Sequence, residues 1–227
     1  MIGILAGMGP KSTAPFIDQV VTTYQKITGV IHDIDFPPML IYSLPTPFYL
    51  DRPIDHALMR ETICNGLKKL ETCGASFIAM PCNSAHAYFG HLRHCTRIPF
   101  LNMIEETLAR IPKDAKKITL FGTRTTLESG IYQTGVLKAG LEFAFHLSWQ
   151  DEIDLILRQI KASSELPLVQ WRKLYQSAQN ENIDAILLVC TDLNPLLAID
   201  RPACTMIDSS ASLAEATVQK WLNYKSS

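Results

Sequence analysis

Two segments of similar design, one in each half of the chain, constrain its fold most strongly. Residues 77–86 read Phe-Ile-Ala-Met-Pro-Cys-Asn-Ser-Ala-His, and residues 185–194 read Ala-Ile-Leu-Leu-Val-Cys-Thr-Asp-Leu-Asn. Each is a short apolar run that predicts a buried strand, and each ends in a cysteine followed by small polar residues that favour a helix start. The pair, centred on Cys82 and Cys190, therefore predicts two similar halves that each present a thiol.

Strands and helices are predicted to alternate around these two segments. Apolar runs predict strands at 1–5, 39–44, 76–81, 99–102, 118–121, 141–147, 185–189 and 205–207. Apolar residues at helical spacing predict helices over 12–27, 54–72, 127–140, 153–160 and 168–180, and from 208 onward, with Ile27 and Tyr224 on buried faces. This alternation predicts an α/β fold of two similar three-layer domains with parallel four-stranded sheets. The expected domains are residues 1–98 plus 209–227 and residues 99–208, packed with a cleft between them because no linker separates the halves.

Composition limits the classes of partner. Of the 227 residues, 47% are apolar and 19% are charged, which is typical of a globular protein. A net charge of −1 gives no electrostatic footprint for nucleic acid or an anionic membrane, so neither partner is expected. No apolar run approaches the roughly 18 residues of a membrane helix, and the N-terminal run lacks the basic region of a signal peptide. A cytoplasmic location is the expectation.

The remaining cysteines and the histidines suggest no cofactor site by themselves. Six cysteines without a Cys-x-x-Cys pair predict free thiols in a reducing compartment. Those outside the two segments are expected to be packing residues: Cys64, Cys73, Cys95 and Cys204. A cluster near residue 90 has two interpretations, a metal site and a solvated helix face, and its spacing matches no usual zinc pattern, so no metal is expected. It comprises His86, His91, His94 and Cys95.

A cysteine at the carboxyl end of a parallel strand lies where α/β folds bind ligands. Backbone N–H groups and the positive end of a helix favour anions there and lower the pKa of a thiol from about 8.5. One thiolate can then accept a proton while a second thiol donates one. Cys82 and Cys190 are therefore predicted to be an acid/base pair acting on opposite faces of one substrate carbon, and the alternative is that both are simple packing thiols.

Three motifs together carry a family resemblance. They are Ala-Gly-Met-Gly-Pro at 6–10, Pro-Cys-Asn-Ser-Ala-His at 81–86 and Val-Cys-Thr-Asp-Leu at 189–193, and their order spans nearly the whole chain. The chain resembles the aspartate/glutamate racemase family, whose members do not use pyridoxal phosphate. The resemblance implies two α/β domains about a pseudo-two-fold, an active site between them, and Cys82 and Cys190 as the catalytic bases. It also implies cofactor-independent interconversion of the L- and D-forms of an acidic amino acid.

The resemblance extends to residues that would bind the substrate. Asn83 and Ser84 match residues that bind the α-carboxylate, and Arg52 and Lys161 match positions that bind the side-chain carboxylate, with ordinary surface charges as the alternative for these two. The other expected contacts are Met8, Thr123 and Thr125, from the resemblance, and Thr191, which adds a hydrogen-bonding group beside the second sulfur. Departures from the family pattern are Ala6, Ser84, Val189 and Asp192, together with a glycine replaced in the turn at 122–126, and they bear on substrate identity more than on reaction type.

Other functions on the same fold remain open from the sequence. Maleate isomerisation uses one cysteine as a nucleophile, and hydantoin racemisation also stays open. Aryl malonate decarboxylation is disfavoured because both cysteines are present. A catalytically silent small-molecule binder and a thiol redox protein are alternatives of a different class, and the redox role would require two sulfurs close enough to bond. The sequence also leaves open whether aspartate or glutamate is the substrate and whether the chain is a monomer or a homodimer.

Overall fold

The computed structural model of the protein describes residues 1–48, 53–162, 165–200, 202 and 204–225. The chain divides into two compact units, Met1–Met103 with Ser210–Ser227, and Ile104–Ser209. Each unit contains one sheet whose strands all run parallel, so the predicted α/β class is confirmed. Within the described part of the chain, no helix has both the length and the apolar character needed to cross a membrane.

The first unit is built on a parallel sheet in the order β2-β1-β3. Its strands are β1 (Ile2–Ala6), β2 (Met39–Ser43) and β3 (Phe77–Ala79). The helix α1 (Thr13–Thr28) follows β1, and α2 (His56–Thr72) follows β2, as the apolar spacing predicted. The short helix α3 (Phe89–Leu92) lies beyond β3, and α10 (Ser209–Lys225) completes the unit.

Alternate residues of β1 face opposite helical layers. Ile2 and Ile4 pack in one cluster with α1 and α10, whereas Leu5 packs in another with α2, which gives the predicted three layers. The predicted buried faces of α1 and α10 each fail at the last position, because Ile27 is 45% and Tyr224 is 56% exposed. Both residues lie in the last turn of their helix, where the apolar stripe runs past the packed layer.

The predicted fourth strand of the first sheet is wrong within the described residues. At 99–102 the structure has one isolated parallel bridge, between Ile78 and Phe100. Two hydrogen bonds hold this segment, from Ile78 N–H to the Pro99 carbonyl at 2.8 Å and from Leu101 N–H to the Ile78 carbonyl at 3.0 Å. Pairing does not extend further because Pro99 has no N–H and a helix begins at Met103.

The second unit has the four-stranded parallel sheet that was predicted, in the order β5-β4-β6-β7. Its strands are β4 (Lys117–Gly122), β5 (Glu142–Phe143), β6 (Ala185–Val189) and β7 (Thr205–Asp208). Its helices are α4 (Met103–Leu108), α5 (Arg124–Glu128), α6 (Ile131–Lys138), α7 (Leu147–Ala162), α8 (Leu168–Asn180) and α9 (Asn194–Ile199). Ile186 and Leu188 pack against the layer of α7 and α8, and Leu187 packs against that of α6, so this unit is also three-layered.

Two elements of the second unit differ from prediction. The single helix expected over 127–140 is divided into α5 and α6, because Gly130 between them has the left-handed φ of +66°. The strand expected over 141–147 is limited to Glu142 and Phe143, and Leu147 already begins α7.

The expectation of free thiols is wrong for one pair of cysteines. Cys64 in α2 and Cys95 beyond α3 form a disulfide, with Cα atoms 5.4 Å apart, a separation typical of such bonds. Cys73 is exposed and so is not a packing residue, whereas Cys204 does pack against the core of the second unit. Sequence spacing did not indicate the bond because it depends on how the segment after α3 docks on α2.

Candidate active site

Parallel pairing brings the first cysteine and the glycine turn to one edge of the first sheet. Ile4 of β1 pairs with Ala79 of β3, and three residues beyond them come Gly7 and Cys82. The carboxyl ends of parallel strands meet at the same edge, so the predicted site residue Met8 lies at the edge that carries Cys82. Both side chains pack against the same apolar cluster.

The turn after β1 needs a glycine for two reasons. Gly7 has φ +94°, and a Cβ there would come within 2.5 Å of the Leu44 backbone nitrogen. Its N–H donates to Thr13 Oγ1 at 3.2 Å, which holds the turn to the start of α1. The turn can therefore approach the end of β2 closely and present Met8 at the same edge.

Beyond Cys82 the backbone forms a short helical turn rather than a long α-helix. A 3-10 helix covers Ser84–Tyr88 and continues into α3. Cys82 is half-buried, Asn83 is 4% exposed and Ser84 is half-buried, so the residues predicted to bind the α-carboxylate accompany the sulfur at this edge. A short turn carries a smaller dipole than a long helix, so an anion at this position would depend more on local N–H groups.

His86 is a buried part of this corner, and the expectation of a solvated helix face is wrong for it. It is 2% exposed, and its ring lies against Phe89 and Phe100, with centroids 5.7 and 5.8 Å away. Met103 N–H donates to His86 Nε2 at 3.1 Å, so the hydrogen-bond network assigns the ring proton to Nδ1. Nδ1 donates to the Cys82 carbonyl at 2.8 Å, whereas the Leu101 carbonyl lies farther from Nε2, at 3.5 Å.

Burial sets the charge state of this imidazole. Removal from water disfavours the imidazolium and lowers the pKa of His86, although the Cys82 and Leu101 carbonyls, which would accept bonds from an imidazolium, act in the opposite direction. The neutral ring therefore holds the Cys82 backbone through the hydrogen bond from Nδ1 to the Cys82 carbonyl. The signal available in the sequence was the spacing of four residues from Cys82, which places the ring one helical turn away.

The second cysteine has an analogous place in the second sheet. Gly122 at the end of β4 pairs with Val189 at the end of β6, and the next residues are Thr123 and Cys190. The register therefore sets the predicted site residue Thr123 beside Cys190. Cys190 is 7% exposed and belongs to the apolar cluster. Burial alone suits a packing thiol as well as a catalytic one.

Hydrogen bonds to residues of α5 and α7 hold the turn that carries Thr123. Thr123 Oγ1 accepts from Thr126 N–H at 3.2 Å and so caps α5, in which Thr125 is half-buried. Gln150 of α7 is fully buried, and its Nε2 donates to the Gly122 carbonyl at 3.2 Å. Arg124 adds a bond to Asp154 Oδ2 at 2.6 Å. Sequence reasoning missed Gln150 because its partner is a distant backbone carbonyl.

Lys161 lies at the same corner as Cys190. Its Nζ is 3.6 Å from Asp192 Oδ2, and Asp192 follows Cys190 by two residues in a 3-10 turn that includes Thr191. The Lys161 side chain is 44% exposed and that of Asp192 is 23% exposed, so water reaches this pair. The family resemblance implied that Lys161 binds a substrate carboxylate, with a surface charge as the alternative, but it did not indicate that Asp192 would compensate the charge of Lys161.

The structure thus groups the predicted site residues within each unit. Met8, Cys82, Asn83 and Ser84 share one sheet edge, and Thr123, Lys161, Cys190 and Thr191 share the corresponding edge of the other sheet. Arg52 lies outside the described residues.

Two parallel sheets that each end in a cysteine corner are the α/β arrangement expected of a racemase, a class of isomerase, and comparison with known proteins agrees. Residues 5–217 match the model of the Asp/Glu/hydantoin racemase family. The chain belongs to this racemase family.

Individual relatives refine this placement. The chain is 45% identical over 228 residues to the broad specificity amino-acid racemase RacX of Bacillus subtilis, with both chains covered completely. It is similar to the structure of Picrophilus torridus aspartate racemase, with TM-score 0.79 and 27% identity over 96% of this chain and 93% of that one. It also shares the fold of the Bacillus anthracis glutamate racemase isoform RacE1, with TM-score 0.70 and 19% identity over 99% of this chain and 82% of that one.

Substitution of His86 should change how stability depends on pH. Because burial lowers its folded-state pKa below the value near 6.5 of an unfolded chain, the unfolded state binds an extra proton below that pH. The stability associated with neutral His86 is therefore complete above about pH 6.5 and is lost as the pH falls. We expect His86→Gln to be less stable than the parent protein by about 1–3 kcal/mol at pH 7.5, and the difference to shrink toward pH 5.

Urea unfolding midpoints at a series of pH values measure this effect. The variant His32→Gln, at an exposed histidine, is the control for loss of an imidazole that water already solvates. A constant difference between the parent protein and His86→Gln from pH 7.5 to 5 would contradict the assignment of a buried neutral ring.

Proposed function

We propose that the protein racemises amino acids without a cofactor and that Cys82 and Cys190 are its two acid/base groups. The observation that carries the proposal is the matched setting of the two thiols. Each follows a buried parallel strand at the carboxyl edge of its sheet and precedes a 3-10 turn. The family match and the amino-acid racemase at 45% identity support the reaction class.

In the proposed reaction, one thiolate removes the α-proton and the opposite thiol protonates the other face of the same carbon. Reversing the protonation states of the two sulfurs gives the reverse reaction. This requires one thiol and one thiolate at the start of each turnover, and each turnover leaves the pair in the opposite arrangement. The opposite enantiomer or exchange with solvent restores the starting state.

The α-proton of a carboxylate is very weakly acidic without an electron sink, so the site must stabilise the charge that develops. We assign this role to Asn83, Ser84 and Thr123, which we expect to bind the α-carboxylate together with nearby backbone N–H groups. The support is positional: Asn83 is nearly buried beside Cys82, and Thr123 has its hydroxyl oxygen fixed by the cap to Thr126. Groups held before the reaction need little reorganisation as charge develops.

Acidic amino acids are the proposed substrate class. Lys161 would bind the side-chain carboxylate, together with Arg52, and Met8, Thr125 and Thr191 would line the site. The placement of Lys161 at the Cys190 corner supports this role, because a cation there attracts a second carboxylate.

A broader substrate range is the second candidate, and two observations favour it. The positive charge of Lys161 is compensated by Asp192 at 3.6 Å, so an acidic side chain would have to compete with a carboxylate that is already present. The Bacillus subtilis relative is itself described as a broad specificity amino-acid racemase. In this candidate the two thiols act in the same way, and only the side-chain contacts differ.

Replacing either cysteine should strongly slow racemisation in both directions. A serine hydroxyl is too weak an acid to replace a thiol, so we expect Cys82→Ser and Cys190→Ser each to lower kcat by about a hundredfold to ten-thousandfold. Chiral chromatography of aspartate, glutamate, alanine and lysine after incubation with the protein measures both activity and substrate range. The variant Cys73→Ser removes an exposed thiol outside the site and is expected to retain full activity.

Two results would contradict the proposal. Full activity of either cysteine variant would exclude a two-thiol mechanism. Conversion of maleate to fumarate by a protein that racemises no amino acid would instead assign an isomerase with one nucleophilic cysteine.

Removing the carboxylate beside Lys161 should shift substrate preference toward acidic amino acids. Since Asp192→Asn leaves the lysine charge uncompensated, kcat/KM for aspartate relative to alanine should rise about threefold to fivefold, the scale of a partly exposed ion pair. Asp114→Asn, which removes the same charge at an exposed position, is the control. An unchanged ratio in Asp192→Asn would show that Lys161 does not bind the substrate side chain.

A further inference from the structure

A second cluster of reactive side chains lies in the first unit, where the segment after α3 meets α2. The sulfurs of Cys64 and Cys95 and a ring nitrogen of His91 all lie within 4.8 Å of one another. Two thiolates and one imidazole are ligands that zinc prefers, and three protein ligands leave a fourth position for water. In the disulfide form neither sulfur is a thiolate, so the oxidised cluster offers no such site.

The three side chains are held together by contacts that do not need the disulfide. Leu92 is fully buried in the same apolar cluster as Ile63 and Leu67 of α2. Glu71, two turns after Cys64 in α2, accepts from Thr96 Oγ1 at 2.7 Å and from Arg97 N–H at 3.1 Å. Reduction of the sulfur–sulfur bond would therefore leave the segment 91–97 docked on α2, with the two thiols still neighbours.

The distances needed for a metal are small changes from this arrangement. Zinc–sulfur bonds of about 2.3 Å in a tetrahedron place two thiolates roughly 3.8 Å apart, so the sulfurs need to separate by less than about 2 Å after reduction. Side-chain rotation of the two cysteines is enough for this movement. His91 is exposed and both cysteines are half-buried, so a reductant and a metal ion can both reach the cluster.

We propose that Cys64, His91 and Cys95 form a redox-gated zinc site. The site cannot bind zinc while the disulfide is present, and it binds zinc when the disulfide is reduced to two thiols. A dithiol reductant supplies two electrons and two protons, its own sulfurs become a disulfide, and Cys64 and Cys95 become thiols. Zinc then displaces the two thiol protons and bonds to both thiolates and to the neutral imidazole.

The position of the cluster gives the site a structural role. The segment between Cys64 and Cys95 contains β3, Cys82 and His86. Either the disulfide or the metal would connect the two ends of this segment, so the Cys82 corner keeps a cross-link under oxidising and reducing conditions alike.

Cobalt binding tests the proposal on the full chain. Thiol titration in denaturant should give four thiols before reduction and six after it, since two of the six cysteines are bonded. After anaerobic removal of the reductant, reduced protein should bind one Co²⁺ with a sulfur-to-cobalt charge-transfer band and tetrahedral visible bands, which Zn²⁺ abolishes. The unreduced protein should show neither.

Variants assign the ligands. Cys64→Ser and Cys95→Ser should abolish the charge-transfer signal of the site. His91→Ala should weaken Co²⁺ binding by more than about tenfold, since even the loss of a residue that only hydrogen-bonds to a metal ligand has an effect of this size. His94→Ala and Cys73→Ser remove an exposed imidazole and an exposed thiol outside the cluster and should bind like the parent protein. The double variant Cys82→Ser/Cys190→Ser should retain the signal, which separates this site from the racemase thiols.

Three results would overturn the proposal. They are absence of the cobalt bands in reduced protein, their persistence in Cys64→Ser or Cys95→Ser, and unchanged affinity in His91→Ala. Circular dichroism of each variant separates loss of a ligand from loss of the fold, and the exposed position of His91 makes its alanine variant the decisive one.

Discussion

The register of two parallel strand pairs is the constraint on which the candidate site depends. Pairing of β1 with β3 ends three residues before Gly7 and Cys82, and pairing of β4 with β6 ends one residue before Thr123 and Cys190. Parallel strands end at a common edge, so each sheet gathers a turn and a thiol without any contact between their side chains being required. A shift of one residue in either pairing would turn the side chains of a strand to the other face and disperse that group.

Most of the strands and helices could be predicted because each depends on a local apolar pattern. The helix α8 and the strand β6 have their predicted bounds. The failures depend on contacts that a sequence pattern does not contain. Gly130 divides a predicted helix through its left-handed backbone, and Pro99 limits the predicted fourth strand to one bridge. The pairing of Cys64 with Cys95 requires the docking of two segments 31 residues apart.

The candidate site residues divide in the same way. The cysteine corners could be predicted, since each combines an apolar strand with a polar turn in consecutive residues. The residues that support these corners could not be predicted. His86 accepts a hydrogen bond from Met103, and Gln150 donates one to Gly122, each across a long sequence separation. The surroundings of the two thiols consequently differ: a buried neutral imidazole supports the Cys82 corner, and the Lys161–Asp192 ion pair lies beside Cys190. Selectivity for a substrate side chain is expected to depend on the second of these, since a charged pair interacts with a charged ligand more strongly than a neutral ring does.

The assignment of Cys82 and Cys190 as two separate bases is tested most directly by deuterium incorporation at early times of racemisation in D₂O. Starting from one enantiomer of the best substrate, a two-base reaction gives product that carries deuterium at the α-carbon while the recovered substrate remains unlabelled. Mass spectrometry after chiral separation measures both pools. Deuterium entering the recovered substrate as fast as the product would contradict two bases and indicate a single group that serves both faces.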